Sequence, residues 1–385
     1  MHHPHQDNQF PHRCILHIGA HKTGSTAIQQ FLFHQMSDAR FRYHSFSETR
    51  ANGSLPLLDL FSEYPEREAK NRYVRISRQT LLGNRKEMLS QFERVLAEAA
   101  KQGEVLLLSG EAMWRNDRLL HRSFRTFLNG NGFSVEVRAY VRPMKSWMES
   151  LFQQRLKNEN KPFVSQLQRN GFQLPEYPTV RSVVEVLDDV YGPDRVFVRL
   201  YDRDRMQGGC VVQDFCRTIG MDMGGSVPEP KNPAMSLPVI RLLYAYARFA
   251  PVLEKQYMDG GRNWLIAKLP CFDGLPLRFH STVVAAAYHR LEADLPWFED
   301  RLGFFMREDI GRDDDGPCVR GEADLFDFDP SMLDWLARKT GCPPVRPHAG
   351  EASARAVAAQ LHRLATGPTE KDRKSLWHFF RSWRK

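Results

Sequence analysis

Long apolar runs are missing from this chain. Nowhere do about 18 uncharged apolar residues follow one another, so no membrane-spanning helix is expected. The opening residues Met1-His2-His3-Pro4-His5-Gln6 lack the apolar centre of a signal peptide. They are read as part of a disordered tail over residues 1–13, whose histidines make no metal site. Cysteine is sparse: Cys14, Cys210, Cys216, Cys271, Cys318 and Cys342 show no framework spacing, which fits reduced thiols in a cytoplasmic protein better than a disulfide scaffold. There is no C-x-x-C pair, no H-E-x-x-H and no internal repeat, so the sequence gives no zinc signature and no solenoid. The net charge of +8 favours anionic ligands, without separating a nucleotide from nucleic acid or an acidic glycan. At 385 residues the chain exceeds the usual single-domain length, although an α/β domain with insertions can fill it.

What is present begins with Cys14-Ile15-Leu16-His17-Ile18-Gly19-Ala20-His21-Lys22-Thr23-Gly24-Ser25-Thr26. The order is that of a buried strand, a glycine-bounded loop and a helix start. A helix N-terminus offers unpaired N–H groups and a partial positive charge to an anion. Gly19 and Gly24 allow close backbone approach, Lys22 adds a charge, and Thr23, Ser25 and Thr26 add hydroxyls. The site suits a phosphate. The Walker pattern, however, puts lysine directly after the second glycine, whereas here Ser25 follows Gly24 and the lysine lies upstream. A tight turn carrying a solvated lysine is the plainer alternative.

A second element follows. Val135, Val137, Ala139 and Val141 alternate with Glu136, Arg138, Tyr140 and Arg142, which predicts a strand. Pro143 closes it, and Trp147, Leu151, Gln154 and Leu156 continue at helical spacing before Lys157-Asn158-Glu159-Asn160. Arg142 thus falls at the C-terminal end of a strand, where open α/β sheets bind ligands. Ser150 lies two turns into the helix. Arg142 can offer a forked donor and Ser150 a hydroxyl to a second phosphate. Alternatively the pair is a surface arginine and an unremarkable helical serine.

Between these elements, Leu89, Phe92, Val95, Leu96 and Ala99 predict a helix ended by Gly103, and Val105–Leu108 predicts a buried strand. Ser109-Gly110-Glu111 comes directly after, so Glu111 should face the same crevice as Lys22 and Arg142. Glu111 is a candidate general base, or else a capping or ion-paired carboxylate. His17, His21 and His44 are rivals. His17 lies within the strand and is read as packed, and His21 could equally be a loop donor to the ligand.

The loop Lys22-Thr23-Gly24-Ser25-Thr26 resembles the 5′-phosphosulfate loop of sulfotransferases that use 3′-phosphoadenosine 5′-phosphosulfate (PAPS). The run from Tyr140 to Arg155, with serine eight residues after Arg142, resembles that family's 3′-phosphate motif in its bacterial branch. The resemblance covers residues 14–220 with specific motifs and continues as general pattern to about 305. It implies an α/β, P-loop-type three-layer fold with a central, mostly parallel sheet flanked by helices, plus helical C-terminal additions. It implies PAPS as sulfate donor, adenosine 3′,5′-bisphosphate (PAP) as product, and no required metal. Gly19, Lys22, Thr23, Gly24, Ser25, Thr26, Arg142 and Ser150 would bind the nucleotide, and Glu111, Lys22 and His21 would act in catalysis. The acceptor would be a hydroxyl, of a glycan or glycolipid. A P-loop kinase or NTPase, and a non-catalytic nucleotide-binding protein, are the alternatives. The Arg-Lys-Gly loop of animal cytosolic members has no equivalent here; Arg262 or Arg278 could replace it, and Trp114 is one candidate for adenine stacking.

Downstream, Arg195–Tyr201 predicts a core strand and Asp214–Gly220 the end of a helix, with Phe215 and Ile219 inward. Leu237–Phe249 and Thr282–Leu302 look helical, and Gly224–Pro230 and Asp259–Pro276 look like loops. Asn232-Pro233-Ala234-Met235-Ser236 is again similar to the bacterial family. Residues 14–345 are expected to form the sulfotransferase-like domain, helical on its acceptor side after about 230, and 346–385 a basic, aromatic helical tail. Within that tail Ala352–Ala365 should be a helix. Lys371–Lys385 interleaves basic residues with Trp377, Phe379, Phe380 and Trp383, which suits an interfacial helix on an anionic membrane, nucleic acid, or docking on the protein's own core. The combined expectation is a cytoplasmic enzyme, with peripheral contact at the inner membrane face and no nucleic-acid partner.

Overall fold

The computed structural model describes residues 10–68, 71, 75–158, 161–174, 180–225, 235–251, 265–269, 272, 274–304 and 306–366. In chain order the elements are β1 (His12–Gly19), α1 (Ser25–His34), β2 (Phe41–Tyr43), α2 (Ser54–Phe61), α3 (Arg78–Gln102), β3 (Val105–Ser109), α4 (Arg118–Gly130), β4 (Phe133–Val141), α5 (Met144–Asn158), α6 (Lys161–Arg169), α7 (Val180–Tyr191), β5 (Val196–Leu200), α8 (Val211–Ile219), α9 (Leu237–Phe249), α10 (Ser281–Glu292), α11 (Leu295–Leu302), α12 (Pro330–Thr340) and α13 (Glu351–Thr366). They divide into two compact units. The first comprises residues 1–143, 178–231 and 294–306, the second 144–177, 232–293 and 307–385.

The first unit is an α/β layer structure around a five-stranded parallel sheet in the order β2-β3-β1-β4-β5. Strand β1 is central because it is apolar on both faces: Cys14 to Ile18 are all buried. Cys14 pairs with Leu106 of β3 on one side and Val135 of β4 on the other. One face of the sheet, with Ile15, Leu107 and Tyr140, packs against Ile28, Phe31 and Leu32 of α1 and Val212, Phe215 and Ile219 of α8. Helices α3, α4 and α7 pack on strands of the same sheet and supply Phe92, Leu96, Phe124 and Leu128 to the core. All strands being parallel, their C-terminal ends share one edge, and the strand order switches around β1. That edge is where such folds bind ligands.

Local signals explain the element ends. Ser77 accepts from the Thr80 amide and caps α3, which therefore starts well before Leu89, while Gly103 at φ 68 closes it. The Arg195–Tyr201 expectation narrows to Val196–Leu200, which is an edge strand rather than a core one: Phe197 is exposed, and Arg138 stacks 3.7 Å from its ring centroid. The single helix expected over Thr282–Leu302 is two, α10 and α11, because Pro296 lacks the amide and the clearance to continue a helix.

An ion pair with a buried carboxylate ties α8 to the sheet. Asp214, 3% exposed, accepts from the Tyr140 hydroxyl at 2.7 Å and from Arg199 through Nε and Nη2, both at 2.8 Å. Asp214→Ala would strand the Tyr140 hydroxyl without a partner, and should destabilise the first unit by about 2–3 kcal/mol, measured as a lower urea midpoint at unchanged slope. An unaltered midpoint would remove this pair from the account of stability.

The second unit is helical. Helix α9 is buried nearly all round, from Leu237 to Ala247, and packs against α5, α6 and α13. The alanine-rich segment is indeed a helix, α13, with Ala354, Val357, Ala358, Leu361 and Ala365 buried. Glu149 of α5 is 4% exposed, accepts from Arg278 at 3.0 Å and from the Phe279 amide at 3.1 Å, and is pushed up to about 7 by burial. No described helix is long and apolar enough to cross a membrane.

Candidate functional site

The phosphate-type loop joins β1 to α1. Lys22 and Gly24 both adopt left-handed backbone, at φ 71 and φ 81, which is costly for a lysine by about 1–2 kcal/mol. Thr23 holds the bend by donating its hydroxyl to the Ala20 carbonyl at 2.6 Å. Both glycines are required by contact. A Cβ on Gly19 would lie 2.6 Å from Ser25 Oγ and 2.8 Å from Thr23 Oγ1, and one on Gly24 would lie 2.8 Å from Val211 and 3.0 Å from Tyr201. Gly24→Ala should therefore destabilise by about 1–3 kcal/mol, checked as a drop in urea midpoint. A neutral outcome would mean that the loop relaxes freely.

Ser25 is 2% exposed, and its hydroxyl has no hydrogen-bond partner. A buried hydroxyl left unpaired is costly, and here it stands over Gly19 in the first turn of α1, whose Ser25 and Thr26 amides no helical carbonyl can reach. Thr26, beside it, is exposed. This donor set fits a phosphate: a helix N-terminus, a bare hydroxyl, a lysine, and a glycine surface without Cβ.

Arg142 follows β4 and donates through Nη1 to the Lys22 carbonyl at 3.2 Å, with its guanidinium 5.3 Å from the Tyr201 ring centroid. Tyr201 was not among the sequence candidates. Its one legible signal is its place directly after β5, at the ligand-binding edge of the sheet. Glu111 opens a short 3-10 turn after β3, and its Oε2 lies 3.5 Å from His21 Nδ1 of the loop. The His21 side chain is 65% exposed and that of Glu111 24% exposed, so both can be reached from solvent.

The first unit thus brings together Gly19, His21, Lys22, Thr23, Gly24, Ser25, Thr26, Glu111 and Arg142. Ser150 is not among them: it belongs to the second unit, half-buried on α5. Arg278 is also in the second unit, paired with Glu149 and Asp313. Arg262, much of the loop segments 224–230 and 259–276, residues 232–234 and the stretch 371–385 lie outside the described residues.

Two of the three rival histidines are packed. His17 is 1% exposed, edge-on to Phe215 at 5.1 Å, and burial pushes it down to about 4. His44 stacks on Phe92 at 5.6 Å and is likewise pushed down to about 4 by burial. Neither can reach a substrate as an exposed base. Trp114 is half-buried, and its indole nitrogen is enclosed without a partner. No protein-family model, curated protein or solved structure was found to match the chain.

Proposed function

We propose that the chain is a sulfotransferase that moves the sulfuryl group of PAPS to a hydroxyl of an acceptor, a glycan or glycolipid, by in-line transfer. The observation that carries the reading is the buried, unpartnered Ser25 hydroxyl over Gly19, with Arg142 docked on the same loop. A nucleotide phosphorylated at both ends suits this set. The helix N-terminus, Lys22 and the hydroxyls would take the 5′ end, while Arg142 would take the 3′-phosphate. Assigning Ser150 to that 3′-phosphate rests on the sequence pattern alone.

PAPS supplies an activated sulfuryl group with a phosphate as leaving group. Glu111 accepts the proton of the acceptor hydroxyl as its oxygen bonds to sulfur, and the bond from sulfur to the bridging phosphate oxygen breaks. The negative charge that grows on that oxygen is met by Lys22 and the first amides of α1. His21, against the Glu111 carboxylate, can share the proton or donate to a sulfonyl oxygen. No step in this scheme calls on a metal.

The test is a calorimetric titration with PAP and with ATP·Mg. PAP should bind more tightly, and Lys22→Ala and Arg142→Ala should each weaken it by about 10-fold or more, equivalent to the loss of a charge-assisted contact of about 1.4 kcal/mol. Tight ATP·Mg binding without preference for the 3′-phosphorylated nucleotide would replace this reading with a kinase or NTPase. A cytoplasmic location and peripheral membrane contact through residues 371–385 belong to the same proposal and rest on sequence.

A further inference from the structure

Beneath Glu111 lies a buried polar network that the reaction scheme does not use. Ser109, the last residue of β3, is 1% exposed. Its hydroxyl lies 2.7 Å from His17 Nδ1 of β1 and receives a hydrogen bond from Gln29 Nε2 of α1 at 3.1 Å. A serine hydroxyl has one proton and two lone pairs. One lone pair accepts from Gln29, and the bond to His17 runs either from the Ser109 hydroxyl to Nδ1 or from Nδ1–H to the second lone pair, according to the ring's tautomer.

Three elements thus meet at one oxygen, and one of them, α1, carries the phosphate-type loop at its N-terminus. The backbone on either side of Ser109 is held as well. The Gly110 amide donates to the His17 carbonyl at 3.0 Å, the Gly53 amide to the Ser109 carbonyl at 2.9 Å, and the Ala112 amide to Ser54 Oγ at 3.1 Å. Gly110 has no room to move: a Cβ there would lie 2.9 Å from Leu57. The turn Ser109-Gly110-Glu111 is consequently registered to α1 by side-chain bonds and to β1 by backbone.

We propose that Ser109, with His17 and Gln29, is a positioning residue that fixes where the Glu111 carboxylate stands relative to the loop of Lys22. The catalytic consequence rests on the sulfuryl-transfer reading; the hydrogen-bond assignment does not. A base must lie within hydrogen-bond reach of the proton it takes, and displacement by about 1 Å can cost about 10²-fold in rate. Ser109 touches no reacting atom, so its effect must appear in turnover and not in nucleotide affinity.

Two measurements test this on the full chain. The first is nitrogen-15 NMR of His17, whose Nδ1 resonance should shift in Ser109→Ala at pH 7 as its hydrogen bond is lost. The second compares PAP affinity with sulfate release from PAPS to water. Ser109→Ala and the gentler Gln29→Met should slow release by about 10- to 100-fold and leave PAP affinity within about 3-fold. Ser109→Thr, which keeps the hydroxyl, should recover most of the rate. The double variant Ser109→Ala/Glu111→Gln should be no slower than Glu111→Gln alone. An Nδ1 resonance that Ser109→Ala leaves unmoved would overturn the network. Unchanged release in both variants, or equal loss of binding and release, would overturn the positioning role. A wild type that binds no PAP would instead remove the reaction itself, and the catalytic assignment with it, while the NMR result still decides the hydrogen bonds.

Discussion

Glu111→Gln is expected to keep PAP bound within about twofold of the wild type while transfer falls by roughly 10²- to 10⁴-fold. The two side chains have nearly the same shape, so the 3-10 turn from Glu111 to Met113 and its packing on α2 should survive. An amide can still hydrogen-bond His21, but it cannot take the acceptor's proton. Because Lys22, Ser25 and Arg142 hold the nucleotide in this scheme, and Glu111 does not, affinity and rate separate. The measurement is calorimetry with PAP beside sulfate release from PAPS. A variant that turns over at the wild-type rate would show that the proton leaves by another route, with His21 the next candidate at 3.5 Å. A variant that loses PAP affinity in the same proportion would make Glu111 a scaffold residue. A wild type that binds PAP tightly but shows no transfer to water or to any sugar hydroxyl would favour a non-catalytic nucleotide-binding protein.

How much of this was legible in the sequence depends on whether each signal is local. β1 and β3 were legible because each is a short, continuous apolar run, and β4 because Val135 to Val141 alternate cleanly. β2 is only Phe41-Arg42-Tyr43, too short for any period to show. Helix α4 carries Leu120, Phe124 and Leu128 at four-residue spacing, and α7 carries Val180, Val184 and Leu187; both were readable, and neither belonged to the expected set. In the site, glycine spacing exposed the loop, and strand ends placed Arg142 and Glu111 on one edge of the sheet. The network at Ser109 was not legible. It depends on the β1–β3 register that sets His17 opposite Ser109, and on Gln29 reaching it across 80 positions of sequence. Tyr201 was missed for a similar reason: its partners Arg142 and Gly24 come from two other strand ends. The division into two units was equally hidden, since the second unit is assembled from three separate stretches of chain.

The same burial that hides these contacts predicts a strong response to acid in the first unit. His17, His44 and His121 are each pushed by burial from the ordinary histidine value down to about 4. His121, fully buried, has Nε2 3.2 Å from the Arg115 carbonyl and Nδ1 3.1 Å from the Tyr191 hydroxyl, so it must donate at Nε2 and accept at Nδ1. Between pH 6.5 and 4 the unfolded chain binds protons that these rings do not, so the first unit loses stability as pH falls through that window and keeps it above 6.5. For His17 and His121, each almost wholly buried, the loss approaches roughly 3 kcal/mol apiece, which together rivals the stability of a typical domain. The second unit carries the reverse sign. Burial raises Glu149 to about 7 and raises Glu308 as well, so these groups hold protons in the native state that the unfolded chain has released. Their contribution is present below about 4.5 and declines as pH rises towards 7. Acidification from pH 7.5 to 5 should therefore open β1, β3 and α4 to amide exchange well before α9 and α13, in hydrogen-exchange mass spectrometry at fixed temperature. His121→Gln should retain part of the lost protection at pH 5, since glutamine can serve both partners without titrating. If the two sets of peptides lose protection together, or if the three histidines titrate near 6.5 by NMR, then burial does not govern their protonation and the acid response must come from surface charge.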